Sequence, residues 1–196
     1  MVAAEPGIET ENGWRKSDWY RIIGPEYVEL AFRFAHEADP EALLFYNDYD
    51  TESPAKRDLI LELMRSLQRK GVPVHGVGHQ AHLYSTYPEV GELERSIQAV
   101  GELGLRNQVT ELDVSLRPRA RAPMPERTPE LLAAHAQRYR ELFRMFRRNR
   151  QLIDAVVLWG VNDESSWLRA PDAPLLFSEF SPKPDFRAVI EEASAP

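Results

Sequence analysis

Three observations predict an α/β fold built on a parallel sheet. Short strand-like apolar runs alternate four times with amphipathic helical stretches along the 196 residues, the pattern of parallel strands joined by crossover helices. The strand runs are nearly continuous in apolar residues, as expected when helices or side chains cover both faces. Each run also releases polar or aromatic groups just past its C-terminal end: Asn47 and Asp48, Gln80 and His82, Glu111 and Asp113, Trp159 and Asp163. That is the layout of a (β/α) barrel, whose sites gather at the C-terminal face. A doubly wound sheet would gather them at one switch point, and no glycine-rich phosphate loop opens any of the helical stretches. A full barrel takes eight strands and roughly 250 residues. About four strand–helix units are present, so the chain reads as the second half of a barrel, one domain over residues 1–196.

Residues 1–18 are polar, with Pro6, Gly7 and Gly13, and read as loop. Gly24-Pro25 then opens a helix with Pro at its first position. Tyr27, Leu30, Ala31, Phe34 and Ala35 keep the i, i+3, i+4 spacing until Asp39-Pro40 ends it. Residues 43–46 form an apolar strand closing on Asn47-Asp48-Tyr49-Asp50. Ser53-Pro54 starts the next helix, with Leu59, Ile60, Leu63, Met64 and Leu67 along one face as far as Lys70-Gly71. A strand over residues 72–77 leads into Gly78-His79-Gln80-Ala81-His82. A helix follows from about Glu89, with Leu93, Ile97 and Val100 inward and Gly101 and Gly104 stopping it. Residues 107–114, rich in Val and Thr, form the next strand. After a loop rich in Pro and Arg, Thr128-Pro129 opens a long helix carrying Leu131, Leu132, His135, Tyr139, Leu142, Phe143 and Phe146. The fourth strand runs over residues 153–159. A Pro-rich tail ends in a short helix from about Asp185.

Composition narrows the function. Net charge is −7, which disfavours nucleic acid and anionic membrane surfaces as partners. The arginines between Arg138 and Arg150 lie on one helix with apolar spacing, the mark of a solvated face. Cysteine is absent, so neither a disulfide framework nor a thiolate metal site exists. No run of about 18 apolar residues is present to span a bilayer. The N-terminal stretch has no basic region followed by an apolar core and does not read as a signal peptide.

The chemistry centres on Val109-Thr110-Glu111-Leu112-Asp113-Val114. Two carboxylates at the end of a buried strand either run into a solvated loop or serve a site, because an unpaired buried charge costs several kcal/mol. Trp159 and Trp167 flank the loop after the last strand. Either both indoles are core, or they offer flat apolar faces beside carboxylates and amides, which suits a sugar ring with its rim of hydroxyls. Stacking between aromatic side chains is worth about 0.5–1.5 kcal/mol beyond burial, and sugar stacking should be of that order. His36, His75, His79 and His135 read as structural or surface residues, and none sits in a cluster with metal-ligand spacing.

Taken together these motifs resemble the C-terminal half of a glycoside hydrolase family 10 enzyme, an endo-β-1,4-xylanase. The resemblance is carried by Ile22-Ile23-Gly24, Tyr46-Asn47-Asp48-Tyr49, Gly78-His79-Gln80-Ala81-His82, Thr110-Glu111-Leu112-Asp113, Trp159-Gly160-Val161-Asn162-Asp163 with Ser166-Trp167, and Pro182-Lys183-Pro184. They occur in the family's order over nearly the whole chain. The resemblance implies that the four units correspond to strands 5–8 of the barrel and that the enzyme is a retaining glycosidase. It implies Glu111 as nucleophile and His82 as the imidazole that sets its ionisation, braced by Asp113. Gln80 would touch the sugar in the cleaved subsite. Trp159 and Trp167 would wall the glycone side and Tyr49 the aglycone side, with Asn47 and Asp48 at the base of the cleft. Xylan or xylo-oligosaccharide is the implied partner, no cofactor is implied, and the parent enzyme is expected to be secreted.

The match has one gap. A retaining glycosidase needs a second carboxyl about 5–5.5 Å from the nucleophile, as acid and then base. The resemblance implies that this is the Glu of an Asn-Glu pair on the fourth strand. Either Met1 falls just after that Glu, or Val2-Ala3-Ala4-Glu5-Pro6 replaces the motif, with Glu5 as the acid and Ala4 in place of Asn. In the first case the chain is expected to be inactive or nearly so. A missing N-terminal half-barrel is then the expected partner, because half a barrel leaves two sheet edges unpaired. Two further readings differ in class: a non-catalytic xylo-oligosaccharide-binding module, and a barrel enzyme holding a divalent metal on Asp48, Asp113 and Asp163.

Overall fold

The computed structural model describes Ile8, residues 13–168 and residues 170–194. Glu5 and Ala4 lie outside the described residues.

The chain enters through α1 (Asp18–Ile23) and α2 (Tyr27–Ala38). This corrects the expectation of loop through residue 18 and one helix from Gly24-Pro25. The Ser17 side chain accepts from the Tyr20 N–H and starts α1, and Gly24, at φ +92°, ends it. Only glycine takes that conformation without strain, so Pro25 falls in the turn between two helices. There follow β1 (Phe45–Asp48), α3 (Pro54–Arg69), β2 (Gly76–His79), β3 (His82–Tyr84), α4 (Val90–Glu102), β4 (Arg106–Ser115), α5 (Pro129–Arg148) and β5 (Ile153–Leu158). Two short strands, β6 (Phe177–Ser178) and β7 (Ser181–Pro182), form an antiparallel hairpin ahead of α6 (Pro184–Ala193).

The helix starts follow the sequence signals closely. Pro54, Pro129 and Pro184 each occupy the first turn of a helix, and the Thr128 side chain accepts from the Leu131 N–H. The first two strands begin later than residues 43 and 72. Ahead of β2, Val72 N–H turns back to Leu67, Val74 N–H donates to Val72 within its own segment and Pro73 has no N–H to give, while His75 already bonds Leu44 and Arg106.

The sheet is parallel throughout and runs β1, β2, β4, β5. β3 continues the line of β2 and pairs with the far half of β4, His82 opposite Asp113. It escapes a reading of apolar runs because Gln80-Ala81 interrupts the ladder, with Ala81 in the left-handed region at φ 60°.

Two apolar clusters fill the space between sheet and helices. One joins Tyr27, Val28 and Phe32 of α2 to Ile60 and Met64 of α3 and Tyr46 of β1. The other joins Leu93 and Ile97 of α4 to Val109 and Leu112 of β4 and Tyr139, Leu142 and Met145 of α5. Among the described residues the barrel does not close: β1 pairs only with β2, and β5 pairs only with β4. β5 is an apolar strand, yet none of its residues is fully buried. Val157 is exposed on it, as is Leu43 just ahead of β1. Both open ends of the sheet therefore carry uncovered apolar side chains.

Candidate active site

The site is built on an irregularity in β4. His79 lies opposite Val109 and His82 opposite Asp113, so β4 spends one residue more than its neighbour across that interval. On the other side the register with β5 shifts between Val109 and Leu112. This is a bulge, and bulges re-aim side chains next to active sites. In a regular strand Thr110 and Glu111 would point to opposite faces. Here both reach Asn47. Thr110 Oγ1 donates to Asn47 Oδ1 at 2.6 Å, and Asn47 Nδ2 donates to Glu111 Oε1 at 2.9 Å. The two bonds fix the orientation of the Asn47 amide.

Asn47 reaches across β2 because residue 78 is glycine. A Cβ there would sit 2.6 Å from Asn47 Oδ1 and 3.0 Å from the Thr110 methyl.

The second Glu111 oxygen faces His82, with Nε2 at 3.3 Å from Oε2. Nδ1 of the same ring lies 3.1 Å from Asp113 Oδ1. Both ring nitrogens thus face carboxylate oxygens, an arrangement only the doubly protonated imidazolium satisfies fully. Burial pulls the His82 pKa down, but the hydrogen bond to Asp113 and the charges of Asp113 and Glu111 outweigh it and leave it raised. Trp167 completes the group. Its indole N–H donates to Asp113 Oδ2 at 2.7 Å, and its ring meets His82 edge-on at 5.2 Å. Asp113 is fully buried, whereas Glu111 is partly exposed. The one carboxylate is sealed and braced, and the other is presented.

Five of the residues singled out from sequence are therefore in one contact network: Glu111, His82, Asp113, Asn47 and Trp167. Gln80 joins through its backbone, its carbonyl accepting from Glu111 N–H. Trp159 sits at the end of β5, its N–H on the Leu112 carbonyl and its indole half-exposed. Core burial, the alternative for both indoles, is overturned: Trp159 is 46% exposed and Trp167 60%. Asp48 does not line the cleft. Its side chain is fully buried, takes Lys56 Nζ at 2.8 Å and the Tyr46 hydroxyl at 2.5 Å, and accepts from Tyr49 N–H. Burial raises its pKa although Lys56 opposes the shift. Lys56 also lies 3.7 Å from the centre of the Tyr49 ring, so a cation–π contact holds that ring.

Sequence reasoning missed Lys56, and it had Thr110 only as part of a motif, without its bond to Asn47. Lys56 was findable, since it lies one turn before Ile60 on the apolar face of α3. Of the three aspartates weighed for a metal, Asp48 is paired with Lys56, Asp163 with Lys183, and Asp113 with His82 and Trp167. Among the described residues no group of three or more His, Asp or Glu is arranged to hold an ion. The other histidines are structural where they are buried. His79 bonds Thr51 and Asn107, and burial lowers its pKa to about 4.

The comparisons agree with this geometry. The chain is 42% identical over 187 residues to endo-1,4-beta-xylanase A of Caldicellulosiruptor sp. (strain Rt8B.4), covering 94% of this chain and 27% of that one. It covers 49% of a thermostable celloxylanase of Thermoclostridium stercorarium at 43% identity. The chain thus spans half or less of these two relatives. Among solved structures, xylanase B from Clostridium stercorarium F9 superposes with a TM-score of 0.89 at 42% identity, over 95% of this chain and 58% of that one. The intracellular xylanase of Thermoanaerobacterium saccharolyticum, solved as a variant in complex with xylotriose, matches with a TM-score of 0.86 at 38% identity, over 94% and 55% of the two chains. The model of glycosyl hydrolase family 10 matches residues 2–192, and the chain belongs to that family.

Proposed function

We propose that this chain carries the attacking side of a retaining endo-1,4-β-xylanase. Glu111 is the nucleophile: its carboxylate displaces the leaving sugar from the anomeric carbon, forming a covalent glycosyl ester that water then hydrolyses. The observation that supports this most is the pair of donors on Glu111, Asn47 Nδ2 on one oxygen and His82 on the other. Hydrogen bonds to the charged form keep a carboxylate ionised, and a nucleophile must be ionised to attack. Asp113 and Trp167 hold His82 in place. Trp167 and Trp159 form a stacking wall for the glycone, and Tyr49 and Gln80 meet the sugars around the scissile bond. Xylan and xylo-oligosaccharides are the substrate class, in keeping with the xylotriose complex of the Thermoanaerobacterium enzyme.

The proton that the leaving oxygen needs comes from a second carboxyl. We assign it to the part of the family-10 barrel that this chain does not span. The same part covers the open edges of β1 and β5, so a complementary N-terminal half-barrel is the proposed partner. Proton NMR of xylohexaose turnover tests both claims. The chain alone should show little or no hydrolysis. With the complementary half of the Clostridium stercorarium barrel supplied as a separate polypeptide, the β-anomer should appear first. An assembled pair that releases the α-anomer first, or none, contradicts the reading.

The exposed indoles favour one second reading, a non-catalytic module that binds xylo-oligosaccharide. Quenching of Trp fluorescence by xylohexaose, together with no turnover in the assembled pair, would select it.

A further inference from the structure

Lys56 is a cation in an unfavourable place. It is buried, 2% exposed, and stands in the first turn of α3, where the helix dipole disfavours positive charge. Stability alone does not call for it, because two neutral side chains of similar volume often serve as well as a buried ion pair. The contacts of Lys56 show where its charge is used. Asp48 Oδ1 accepts from Lys56 Nζ at 2.8 Å and from the Tyr49 N–H at 2.9 Å. The Tyr46 hydroxyl donates to Oδ2 of the same carboxylate. Lys56 Nζ also lies 3.7 Å from the centre of the Tyr49 ring.

Tyr49 is thus held at two points. Asp48 fixes its backbone, and the ammonium group fixes its ring. Asp50, at φ 51°, turns the chain away directly after it, so Tyr49 stands where β1 gives way to the cleft. Asn47, two residues back, donates to Glu111. The ring is therefore tied, through one short stretch of chain, to the donor of the proposed nucleophile. Lys56 is buried while Tyr49 is partly exposed, so the cation meets the ring from the inside and leaves the outer face open.

We propose that Lys56 is a positioning residue for the leaving-group side of the cleft: it sets the plane of the Tyr49 ring, and through that ring it determines how strongly substrates with a sugar beyond the scissile bond are preferred. This rests on the reading of Tyr49 as the wall that meets that sugar. A cation over an aromatic face is attracted by the ring quadrupole, and the attraction grows where water is excluded. A ring held in this way offers its outer face in one orientation, and a sugar stacks on it without first ordering the side chain. Without the cation the ring regains its freedom, and part of the stacking energy goes into ordering it.

The test compares two substrates on the chain assembled with the complementary half of the Clostridium stercorarium barrel. Xylohexaose places sugars on both sides of the scissile bond, and β-xylobiosyl fluoride places them on the glycone side alone. In Lys56→Gln, which can still donate to Asp48, kcat/KM for xylohexaose should fall roughly three- to tenfold, the scale of one stacking contact. That for the fluoride should stay close to the unaltered value. A purely structural lysine would slow both alike, so equal falls, or no fall for xylohexaose, overturn the proposal. Should Lys56→Gln not fold, Lys56→Met combined with Asp48→Asn leaves no buried charge unpaired and is read in the same way. Proton NMR of the chain alone separates this claim from the reading of the site. The Lys56 methylene protons next to Nζ should be shifted upfield by the Tyr49 ring and return to ordinary positions in Tyr49→Ala. Ordinary positions in the unaltered chain overturn the proposal. Turnover of neither substrate by the unaltered pair contradicts the reading of Glu111 instead, and the NMR result then decides the role of Lys56.

Discussion

His82 and His135 both sit against aspartates, and they differ in what the second ring nitrogen meets. His135 is sealed inside α5. Its Nδ1 lies 2.6 Å from Asp185 Oδ1 and its Nε2 2.7 Å from the Val114 carbonyl, with Tyr139 edge-on at 5.4 Å. Both partners are interior groups, so the ring ties α6 and β4 to α5. His82 repeats the first half of that pattern with Asp113. Its other nitrogen turns instead to Glu111, a carboxylate that is itself partly exposed. What differs is the destination of the second N–H. Turned to a backbone carbonyl, the nitrogen joins α5 to β4; turned to a partly exposed carboxylate, it meets the group proposed as nucleophile.

Five substitutions test this contrast. The largest effect belongs to Glu111→Gln in the complete barrel: retaining turnover should fall on the order of 10⁴-fold or more, as when other covalent nucleophiles are removed. Surviving retaining turnover would show that His82 serves some other group. Next, the two histidines should fail differently. His135→Ala leaves Asp185 buried without the ring and should cost roughly 3 kcal/mol in urea unfolding. His82→Ala should cost little stability yet slow attack by Glu111 about 10²-fold, the scale for removing one electrostatic donor. Equal stability losses would erase the distinction.

The third prediction concerns pH. Burial raises the Glu52 carboxyl to about 7 in the folded protein, so the folded state holds a proton that the unfolded chain releases. Its contribution to stability is present below about pH 4.5 and is lost as pH rises through about 7, a loss of about 3 kcal/mol. His82 is also raised, and its contribution likewise fades above its folded pKa. Urea unfolding at pH 5 and pH 8 isolates Glu52 by difference: Glu52→Gln should show the shallower fall, and parallel falls would contradict the assignment. The smallest effect is expected from Gly78→Ala. The added methyl should push Asn47 off Glu111 at a cost of about 1–2 kcal/mol and slow attack, leaving the His135 network intact.

The alternation of elements and most of the cleft were legible in sequence because each leaves a local trace. Pro129 behind Thr128 announces α5, and the run from Val109 to Val114 announces a strand. The residues that contact Glu111 were legible only as motifs. Nothing local says that Asn47 and Glu111, 64 positions apart, meet across Gly78. The β4 bulge was not legible, because an extra residue in one strand is defined only against its partners. Asp48 read as a cleft residue and is a buried partner of Lys56, since sequence places a carboxylate at a strand end without saying which way it turns. Glu52 gave no signal at all: a glutamate beside Ser53-Pro54 looks like the solvated start of a helix, yet its side chain is buried.

The central claim is that Glu111 attacks an anomeric carbon. A 2-deoxy-2-fluoro-xylobioside carrying a dinitrophenolate leaving group tests it directly, because that group departs without an acid and the glycosyl ester it leaves behind is slow to hydrolyse. Incubation followed by peptide mapping should place one fluoroxylobiosyl group on Glu111, and none in Glu111→Gln. A label on another residue, or bound sugar that quenches Trp fluorescence and never becomes covalent, would contradict the account.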